Sequence, residues 1–534
     1  MNKALGHIIS GSLAEGFIMR IASNIDIESL KIGKFVSIHG NRNRYFSLIT
    51  DIKLEVTNSD ILVFPPEDDE NLLKEALKTK DIYATAILRP MIMLDSNNKM
   101  MPVKTIPHHF ADVHAAVKEE IETIFGSESD QNKCYFNVGK PLDTDAQVCI
   151  NLDRLTERSS GIFGKTGTGK TFLTRLLLAG LIYRDKAVNI IFDMHNEYGL
   201  QARQEGSSSS FVKGLKTLFP DKVVIFSLDP ESTRRRGSIP DANLTINYNC
   251  ISVEDIVSLN AELNLSPTAY EAAYLIAAKY KKDWLEVLLS QADKLKEFAQ
   301  EVGAHPESIA SLYRKLRNIE RLPFLKPSKG TYSPDMVDMM IEYVDRGISI
   351  IVEFGNYTST FCYLLIANII TRRIHNLYTK KTEKFLGSHH KQDEPKKLII
   401  TIEEAHKFLN TQTAKQTIFG TIAREMRKYY VSLLVVDQRP SGIDPEVLSQ
   451  IGTKIIAQLS DDKDIQAILS GSSGSTELKT ILSGLESKKQ VLILGHAISM
   501  PVVIESREYN EDFYKAMNPI SSKKSIQQLM DEIF

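Results

Sequence analysis

Gly164-Lys-Thr-Gly-Thr-Gly-Lys170-Thr171 is the stretch of sequence that decides the fold. It fits the pattern G-x-x-x-x-G-K-[ST], whose glycines let successive backbone N–H groups turn inward around phosphate oxygens. A short apolar segment, Ser160–Phe163, precedes this stretch, and an amphipathic helical run, Thr171–Tyr183, follows it. Because a phosphate-binding loop requires a strand before it and a helix after it, the sequence predicts such a loop in an α/β sheet.

The residues of this loop have different expected roles on a nucleoside triphosphate. We expect the Lys170 ammonium group to reach the β and γ phosphates of ATP and to act in catalysis, and the Thr171 hydroxyl to ligate Mg²⁺. The backbone of the other positions would surround the phosphates. The predicted nucleotide-binding residues of the loop are Gly164, Lys165, Thr166, Gly167, Thr168, Gly169, Lys170 and Thr171.

A second catalytic element is expected where an apolar strand ends in two acids, in Lys397-Leu-Ile-Ile-Thr-Ile-Glu403-Glu404-Ala-His406. This pattern resembles a Walker B motif, in which the first acid, usually Asp, holds the Mg²⁺ shell and the second polarises the attacking water. Here Glu403 takes the metal position, and a water-mediated contact would accommodate its extra methylene. Glu404 is the predicted general base.

The next strand closes with Val435-Val436-Asp437-Gln438-Arg439-Pro440. A polar side chain at the carboxyl edge of a parallel sheet lies where ligands bind in open α/β folds. We therefore predict that Gln438 senses the γ-phosphate and belongs to the catalytic set.

Length and alternation predict at least two domains, because 534 residues exceed what one hydrophobic core usually covers. Residues 1–150 alternate in short apolar and polar segments, which favours a small β-rich barrel or sandwich. Residues 151–534 alternate strands with helices, with an insertion at about 200–346 that is strand-like at Val223–Leu228 and otherwise helical. C-terminal strands and a helix are expected at about 487–534. The predicted fold class is α/β: a RecA-like P-loop ATPase core with a parallel-dominated sheet, preceded by the barrel.

Several local expectations can be compared with a structure. The first domain should contain strands and one helical piece, and Thr379–Lys396, rich in Lys, Glu, Ser and His, should form a solvated loop. Near the C-terminus Gln490–Leu494 should pair with Pro501–Glu505. The expected segments of the first domain are strands Phe35–His39, Tyr45–Val56, Ile82–Leu94 and Gln147–Leu152 and a helix around Val113–Phe125.

Charge and cysteine content exclude some classes of function. The formal net charge of −2 gives no overall attraction to nucleic acid, so DNA binding would depend on local clusters of Lys and Arg. The four cysteines lie far apart without the spacing of a zinc site, which indicates reduced core thiols. The longest apolar segment, near Phe361–Ile370, is too short to span a bilayer. We therefore expect a cytoplasmic protein that does not bind membranes.

The motifs together resemble those of the HerA branch of the HerA/FtsK translocases. The resemblance is strong over about residues 154–198 and 397–459, weaker before them and faint in the helical insertion. One motif of that family, D-x-H-G-E-Y, is matched with Asn196 in place of its glycine. The stretches that carry the resemblance are Arg424-Glu-Met-Arg427-Lys-Tyr-Tyr430, Asp437-Gln438-Arg439-Pro440-Ser441, Asp193-Met-His195-Asn-Glu197-Tyr198, Lys31-Ile-Gly-Lys-Phe-Val-Ser-Ile and Phe46-Ser-Leu-Ile-Thr-Asp-Ile.

This resemblance implies a ring of six identical subunits that binds ATP and Mg²⁺ and pumps double-stranded DNA through its pore. ATP would lie between subunits, and a neighbour's arginine would reach the γ-phosphate; Arg427 is the best match for this finger and Arg424 the second. Arg158 matches an arginine near the nucleotide. Candidate phosphate contacts to DNA are Arg234–Arg236 and the cluster Arg314–Arg317, although each can also be a solvated surface.

Three functions remain open from the sequence. The leading one is a DNA translocase or helicase motor that works with a separate nuclease or effector, of NurA-like or sirtuin-like type, docked on the N-terminal domain. It would serve either DNA end processing or anti-phage defence. The second is a ring scaffold that binds ATP and organises an effector without productive pumping. The third, a membrane-coupled secretion ATPase, is disfavoured by the absence of transmembrane segments.

Overall fold

The computed structural model describes residues 3–57, 61, 81–130, 132–142, 144–203, 211–328, 336–414, 417–471, 475–486 and 489–517. The part of the predicted C-terminal helix beyond residue 517 lies outside them. The strands in chain order are β1 (Gly6–Ser12), β2 (Gly16–Ile21), β3 (Phe35–His39), β4 (Arg44–Val56), β5 (Ile82–Leu94), β6 (Met100–Met101), β7 (Asp112–Ala115), β8 (Tyr135–Pro141), β9 (Val148–Asn151), β10 (Ser160–Phe163), β11 (Val188–Asp193), β12 (Gln201–Arg203), β13 (Phe211–Lys213), β14 (Val223–Ser227), β15 (Ala242–Asn243), β16 (Ile246–Asn247), β17 (Leu325–Lys326), β18 (Ser349–Glu353), β19 (Leu398–Glu403), β20 (Val431–Asp437), β21 (Thr453–Ile456), β22 (Gln490–Gly495) and β23 (Val502–Ser506). The α-helices are α1 (Lys118–Phe125), α2 (Leu152–Glu157), α3 (Lys170–Tyr183), α4 (Leu215–Leu218), α5 (Pro230–Arg235), α6 (Val253–Val257), α7 (Asn260–Leu263), α8 (Pro267–Tyr280), α9 (Trp284–Leu289), α10 (Leu295–Val302), α11 (Pro306–Leu316), α12 (Met336–Arg346), α13 (Thr360–Ser388), α14 (His406–Leu409), α15 (Ile418–Glu425), α16 (Pro445–Gln450), α17 (Asp462–Leu469), α18 (Ser475–Ser483) and α19 (Glu511–Met517).

Two compact units are interleaved along the chain. The first unit comprises residues 1–155, 163–170 and 452–508, and the second comprises 156–162, 171–451 and 509–534. The chain therefore passes from one unit to the other within β10 and again at the start of α3. The division at residue 150 into a barrel domain and an ATPase domain stays a prediction. In the part of the chain that the structure describes, no helix has the length and apolar character needed to cross a membrane.

A small barrel forms the N-terminal part of the first unit, which confirms the predicted barrel. Its strands follow the order β2-β1-β7-β3-β4-β5, and β5 pairs antiparallel with β2, so the sheet closes on itself. Alternate residues on the strands point inward, and Val36 and Ile38 of β3 are fully buried in the core. The expected helix around Val113–Phe125 is correct only from Lys118, because β7 occupies its first residues and pairs with β3.

An antiparallel sheet forms the rest of the first unit, with strand order β21-β22-β23-β8-β9. The predicted pairing of the last two strands is confirmed, since Gln490 lies opposite Glu505 in β22 and β23. β8 and β9, which we expected in the barrel, join this sheet instead, and Ile504 of β23 lies opposite Pro141 of β8. Alternation of apolar and polar residues predicts that a segment is a strand, but it does not show which distant strand will pair with it.

A parallel sheet forms the centre of the second unit and confirms the predicted α/β fold class. Its order is β15-β14-β18-β11-β19-β20-β10, and the pairs of β11 with β18 and β19, and of β19 with β20, are parallel. These central strands are buried along their whole length, as is typical of a parallel sheet covered on both faces. Because parallel strands end at the same edge, four strand-end acids meet there: Asp193, Glu353, Glu403 and Asp437.

Within the range predicted for the helical insertion, the segment expected to be strand-like, Val223–Leu228, forms β14 and pairs in register with β18. The helices α6 to α12 follow it in the chain. Among these helices α8 packs against α9 and α11, whereas α12 packs against β18 and α13. The buried Trp284 of α9 donates its indole N–H to the Ile251 carbonyl at 2.9 Å.

The expected loop Thr379–Lys396 is wrong for its first ten residues, because α13 continues to Ser388. The Lys and Glu residues that favoured a solvated loop are also good helix formers, and they occupy the exposed face of this helix. The other face is packed, since Thr382 is buried and the Phe385 ring lies edge-on to Tyr430 with centroids 6.2 Å apart. The helix ends at His389, which takes a left-handed conformation with φ 55°.

Candidate active site

The phosphate-binding loop is a tight turn within the first unit. Gly167 and Gly169 have φ of 78° and 85°, values that L-residues rarely adopt. The Lys170 ammonium donates to the Lys165 carbonyl at 3.0 Å, and the Thr168 hydroxyl donates to the same oxygen at 2.7 Å. The loop thus has the two features that phosphate binding requires: a backbone in the right conformation and a cation held over it.

The space beside the loop fits phosphate groups. A Cβ atom added to Gly167 or Gly169 would meet no other atom within 4 Å, so the loop is open on the side of both glycines. Gly164 is the opposite case, because its Cβ would lie 2.7 Å from the Thr168 hydroxyl and 2.9 Å from the Ala457 side chain. A glycine is therefore required at the packed end of the loop, whereas the other two are required by their backbone conformation.

A row of buried carboxylates follows the carboxyl edge of the parallel sheet in the second unit. Glu353, Asp193, Glu403 and Asp437 end the adjacent strands β18, β11, β19 and β20, and all four are buried. Burial raises the pKa of Glu403 to about 7. Burial, together with the negative charges of Glu403 and Glu353, raises the pKa of Asp193 to about 8. This edge therefore disfavours negative charge unless each carboxylate has a donor or a cation.

Glu403 is held by two tyrosines from different elements. The Tyr198 hydroxyl donates to Glu403 Oε1 at 2.8 Å. The Tyr363 hydroxyl, on α13, accepts from the Glu403 backbone N–H at 3.1 Å and donates to its carbonyl at 3.3 Å. Glu403 Oε2 is buried and has no hydrogen-bond partner among the described residues. One carboxylate oxygen is thus fixed, and the other is available.

Glu404 has a strained backbone, which is typical of functional positions. Its φ is 49°, in the left-handed region that side chains other than Gly, Asn and Asp rarely occupy. The conformation turns its side chain away from the buried strand, and about a quarter of it, 24%, is exposed. The Gln438 amide donates to both carboxylate oxygens at 3.3 and 3.2 Å, and His406 Nδ1 lies 3.7 Å from Oε2.

Asp437 organises the turn that carries Glu404. Its buried carboxylate accepts the His406 backbone N–H at 2.6 Å and the Arg439 backbone N–H at 2.6 Å, and it lies 3.0 Å from His406 Nδ1. The hydrogen bond to Asp437 raises the pKa of His406. Asp437 therefore binds together the ends of β19 and β20, which positions Glu404 and Gln438 against each other.

The segment after β11 forms a second turn at this edge. The Asp193 carboxylate accepts the backbone N–H groups of Glu197 and Tyr198, both at 2.8 Å. Asn196 has φ 57°, which explains why glycine suits this position and why Asn, the next most tolerant residue, replaces it here. Its side chain also exchanges hydrogen bonds with the Gly355 backbone, at 2.9 and 3.2 Å, and so ties the turn to the end of β18.

The predicted arginines lie in different settings. Arg424, on α15, donates to the Ala414 carbonyl at 3.4 Å, and Arg158 is exposed just after α2. Arg427 lies in the 3-10 turn Met426–Tyr429 that follows α15, and its side chain lies outside what the structure describes. The role of each arginine stays a prediction.

Of the catalytic predictions, the structure brings Glu404 and Gln438 into direct contact, so Gln438 holds the expected base. It also surrounds Glu403 and Glu404 with groups for which no role was predicted: Tyr198, Tyr363, His406 and Asp437. Tyr198, His406 and Asp437 lie within the quoted motifs and could have been suspected from them. Tyr363 could not, because it comes from the apolar face of a helix.

The available atoms fit a Mg²⁺ ion that is shared with phosphates. Among the described residues, no three His, Cys, Asp or Glu side chains are grouped to hold a metal on their own. Mg²⁺ in nucleotide sites usually takes only one or two protein ligands and keeps several waters. The Glu403 Oε2 atom, buried and unpaired within the described part, suits a water of that shell. Thr171, in the first turn of α3, is the expected hydroxyl ligand.

Comparison with known proteins points to one group of DNA enzymes. Residues 136–374 match the family described as "Helicase HerA, central domain". The chain is 24% identical over 500 residues to the DNA double-strand break repair helicase HerA of Sulfurisphaera tokodaii, covering 90% of each chain. It is 24% identical over 497 residues to the enzyme of the same name from Sulfolobus acidocaldarius, covering 90% of this chain and 89% of that one.

Among solved structures, the chain is similar to VirB4 of Thermoanaerobacter pseudethanolicus, with a TM-score of 0.44 and 14% identity. The similarity covers 70% of this chain and 96% of that chain.

Replacement of Glu404 by Gln should stop ATP hydrolysis and leave ATP binding intact. The amide has the same shape and can still contact Gln438, but it cannot accept a proton from the attacking water. We expect turnover to fall by about 10² or more, measured as phosphate release, with unchanged affinity for a fluorescent ATP analogue. If Glu404→Gln hydrolyses normally and Glu403→Gln retains bound ATP instead, the two roles are reversed.

Proposed function

We propose that this chain is a HerA-type P-loop ATPase that hydrolyses ATP to drive movement along double-stranded DNA. The observation that carries the proposal is the set around Glu404: a base in a strained conformation, a glutamine on its carboxylate and a histidine beside it. The step from ATP hydrolysis to DNA is supported by relatives named DNA repair helicases, whose similarity spans nine tenths of the chain.

The residues of the site supply the parts that phosphoryl transfer needs. Lys170 and the loop backbone bind the β and γ phosphates, and Thr171 and Glu403 hold Mg²⁺, which neutralises charge on the phosphate oxygens when bound. Glu404 orients and deprotonates the attacking water. Gln438 holds the base in place and lies where it can detect the γ-phosphate.

Contacts to DNA would be made mainly to phosphates, which suits movement that is independent of sequence. Of the candidate cluster Arg234–Arg236, Arg234 and Arg235 are exposed on α5, whereas Arg236 is bound to the buried Glu353. Arg236 therefore has a structural partner and is the weakest candidate of the three. Arg317 in the second cluster is exposed, and its Nε lies 3.9 Å from Glu320 Oε2. This is a weak surface ion pair, which leaves the guanidinium accessible to phosphate.

The proposed assembly is a ring of six subunits with ATP bound at each boundary, where Arg427 of a neighbour stabilises the transition state. A separate nuclease or other effector, of NurA-like or sirtuin-like type, would dock on the N-terminal barrel and act on the DNA that the ring delivers. Such a motor would work in the cytoplasm, in DNA end processing or in anti-phage defence. The competing proposal is a ring scaffold in which ATP binding organises the effector without pumping.

DNA should stimulate ATP turnover if the chain is a motor. We expect phosphate release to rise with linear double-stranded DNA and to fall back as salt increases, because the contacts are to phosphates. Lys170→Ala is the control and should abolish turnover, since the β and γ phosphates lose their fixed point charge. Equal turnover with and without DNA at low salt would favour the scaffold.

Arg427 should act on the ATP of the neighbouring subunit. Loss of a finger arginine typically costs about 10³ or more in rate, so Arg427→Ala and Lys170→Ala should each be nearly inactive. Mixed rings contain interfaces that pair an intact loop with an intact arginine, and these should recover measurable ATPase activity. The mixture is prepared under conditions in which exchange of labelled subunits is confirmed. A mixture as inactive as its components would mean that Arg427 acts within its own chain or only holds the structure.

A further inference from the structure

Tyr198 has a position that the proposed hydrolysis mechanism does not yet use. It ends the Asp193–Tyr198 turn, its ring is fully buried, and its hydroxyl donates to Glu403 Oε1 at 2.8 Å. The other oxygen of the same carboxylate, Glu403 Oε2, is buried and unpaired among the described residues. A carboxylate with one oxygen fixed and the other unpaired has a single preferred orientation, in which the unpaired oxygen is presented to an incoming ligand.

Tyr198 is itself held in place from two sides. Its backbone N–H donates to the Asp193 carboxylate at 2.8 Å, which fixes the turn. The Arg175 guanidinium lies 6.0 Å from its ring centroid and donates through Nε to the Glu197 carbonyl at 3.0 Å. Arg175 lies on α3, the helix that begins with Lys170. The hydroxyl therefore cannot follow Glu403 if that side chain rotates.

We propose that Tyr198 is a positioning residue that orients Glu403, so that its free oxygen Oε2 receives the Mg²⁺ shell of bound ATP. This inference rests on the proposed ATPase function and extends it to the segment Asp193–Tyr198, whose role the sequence left open. Mutation of a group that orients a metal ligand through a hydrogen bond typically costs about 10- to 100-fold in metal affinity or activity. The simple alternative is that the tyrosine only satisfies a buried carboxylate and stabilises the fold.

Tyr363 provides a matched control for this proposal. It is also a fully buried tyrosine, and its hydroxyl also bonds to Glu403, but only to the backbone N–H and carbonyl. Tyr198→Phe and Tyr363→Phe each remove one buried hydroxyl beside the same residue while keeping the ring. Only the first removes the hydrogen bond that orients the carboxylate, so a difference between the variants reports on orientation and not on loss of stability.

The test measures the affinity of Mn²⁺, used as a spectroscopic probe in place of Mg²⁺, in the complex with the non-hydrolysable analogue AMP-PNP. Electron paramagnetic resonance of free Mn²⁺ gives the Kd. We expect Tyr198→Phe to weaken Mn²⁺ binding by about tenfold or more and to raise the Mg²⁺ concentration for half-maximal ATPase activity in parallel. Tyr363→Phe should change both quantities much less than Tyr198→Phe does, even if its melting temperature falls as much, because the hydrogen bond to the Glu403 carboxylate remains.

A double-mutant cycle removes the remaining ambiguity. If Tyr198 acts through Glu403, then Tyr198→Phe has no further effect on Mn²⁺ affinity in a Glu403→Gln background. Equal effects of the two tyrosine variants, or additive effects of Tyr198→Phe and Glu403→Gln, would overturn the inference while leaving the ATPase proposal intact. A wild-type protein that neither binds Mn²⁺ with AMP-PNP nor hydrolyses ATP would overturn the proposed function itself.

Discussion

The hydrogen bond from Tyr198 to Glu403 lies at the centre of a wider constraint, the burial of carboxylates at the ends of parallel strands. An isolated buried charge costs several kcal/mol even after relaxation, so each of these acids needs a donor or a cation. Glu353 is bound by Arg236 and by the Thr233 hydroxyl at 2.9 Å. Backbone N–H groups donate hydrogen bonds to Asp193, a tyrosine hydroxyl donates to Glu403, and Asp437 is paired with a histidine. These partners fix the turns that carry the catalytic groups.

The same constraint connects stability with function along this edge. Where a carboxylate is fully satisfied, as in Asp437, it acts as a structural pin for the turn around Glu404. Where one oxygen has no described partner, as in Glu403, the edge is prepared for an external cation. Burial raises the pKa of Glu403, and a divalent cation beside its carboxylate would favour the charged form and lower that pKa. In the proposed function, bound metal and nucleotide would meet the part of the electrostatic requirement that the described side chains leave open.

Much of the fold could be predicted from the sequence, because its signals are local. The strand–loop–helix around Lys170 and the strand ending at Glu403 follow from glycine placement and from apolar periodicity. Periodicity in residues 1–150 indicates a β-rich barrel or sandwich, and the structure has a closed barrel. What could not be predicted depends on pairing between distant segments. β8 pairs with β23, more than 300 residues away in sequence, and β9 pairs with β8. Likewise the Tyr363 hydroxyl forms a hydrogen bond with Glu403, which lies 40 residues later in the sequence. Tyr363 lies on a helix face whose sequence predicts only apolar core. The last ten residues of α13 were predicted as a loop, because solvated loops and exposed helix faces are both rich in Lys and Glu.

Displacement of a third strand from linear double-stranded DNA tests the central claim, ATP-driven movement on DNA, most directly. A labelled oligonucleotide is bound as a triplex at a site far from the duplex end, and its release is followed by fluorescence. If the protein moves along DNA, the wild type releases the oligonucleotide with ATP and Mg²⁺, after a delay that grows with the distance between the triplex and the duplex end. ATP hydrolysis without any release, on DNA that the protein demonstrably binds, would contradict a translocating motor and leave the scaffold as the better account.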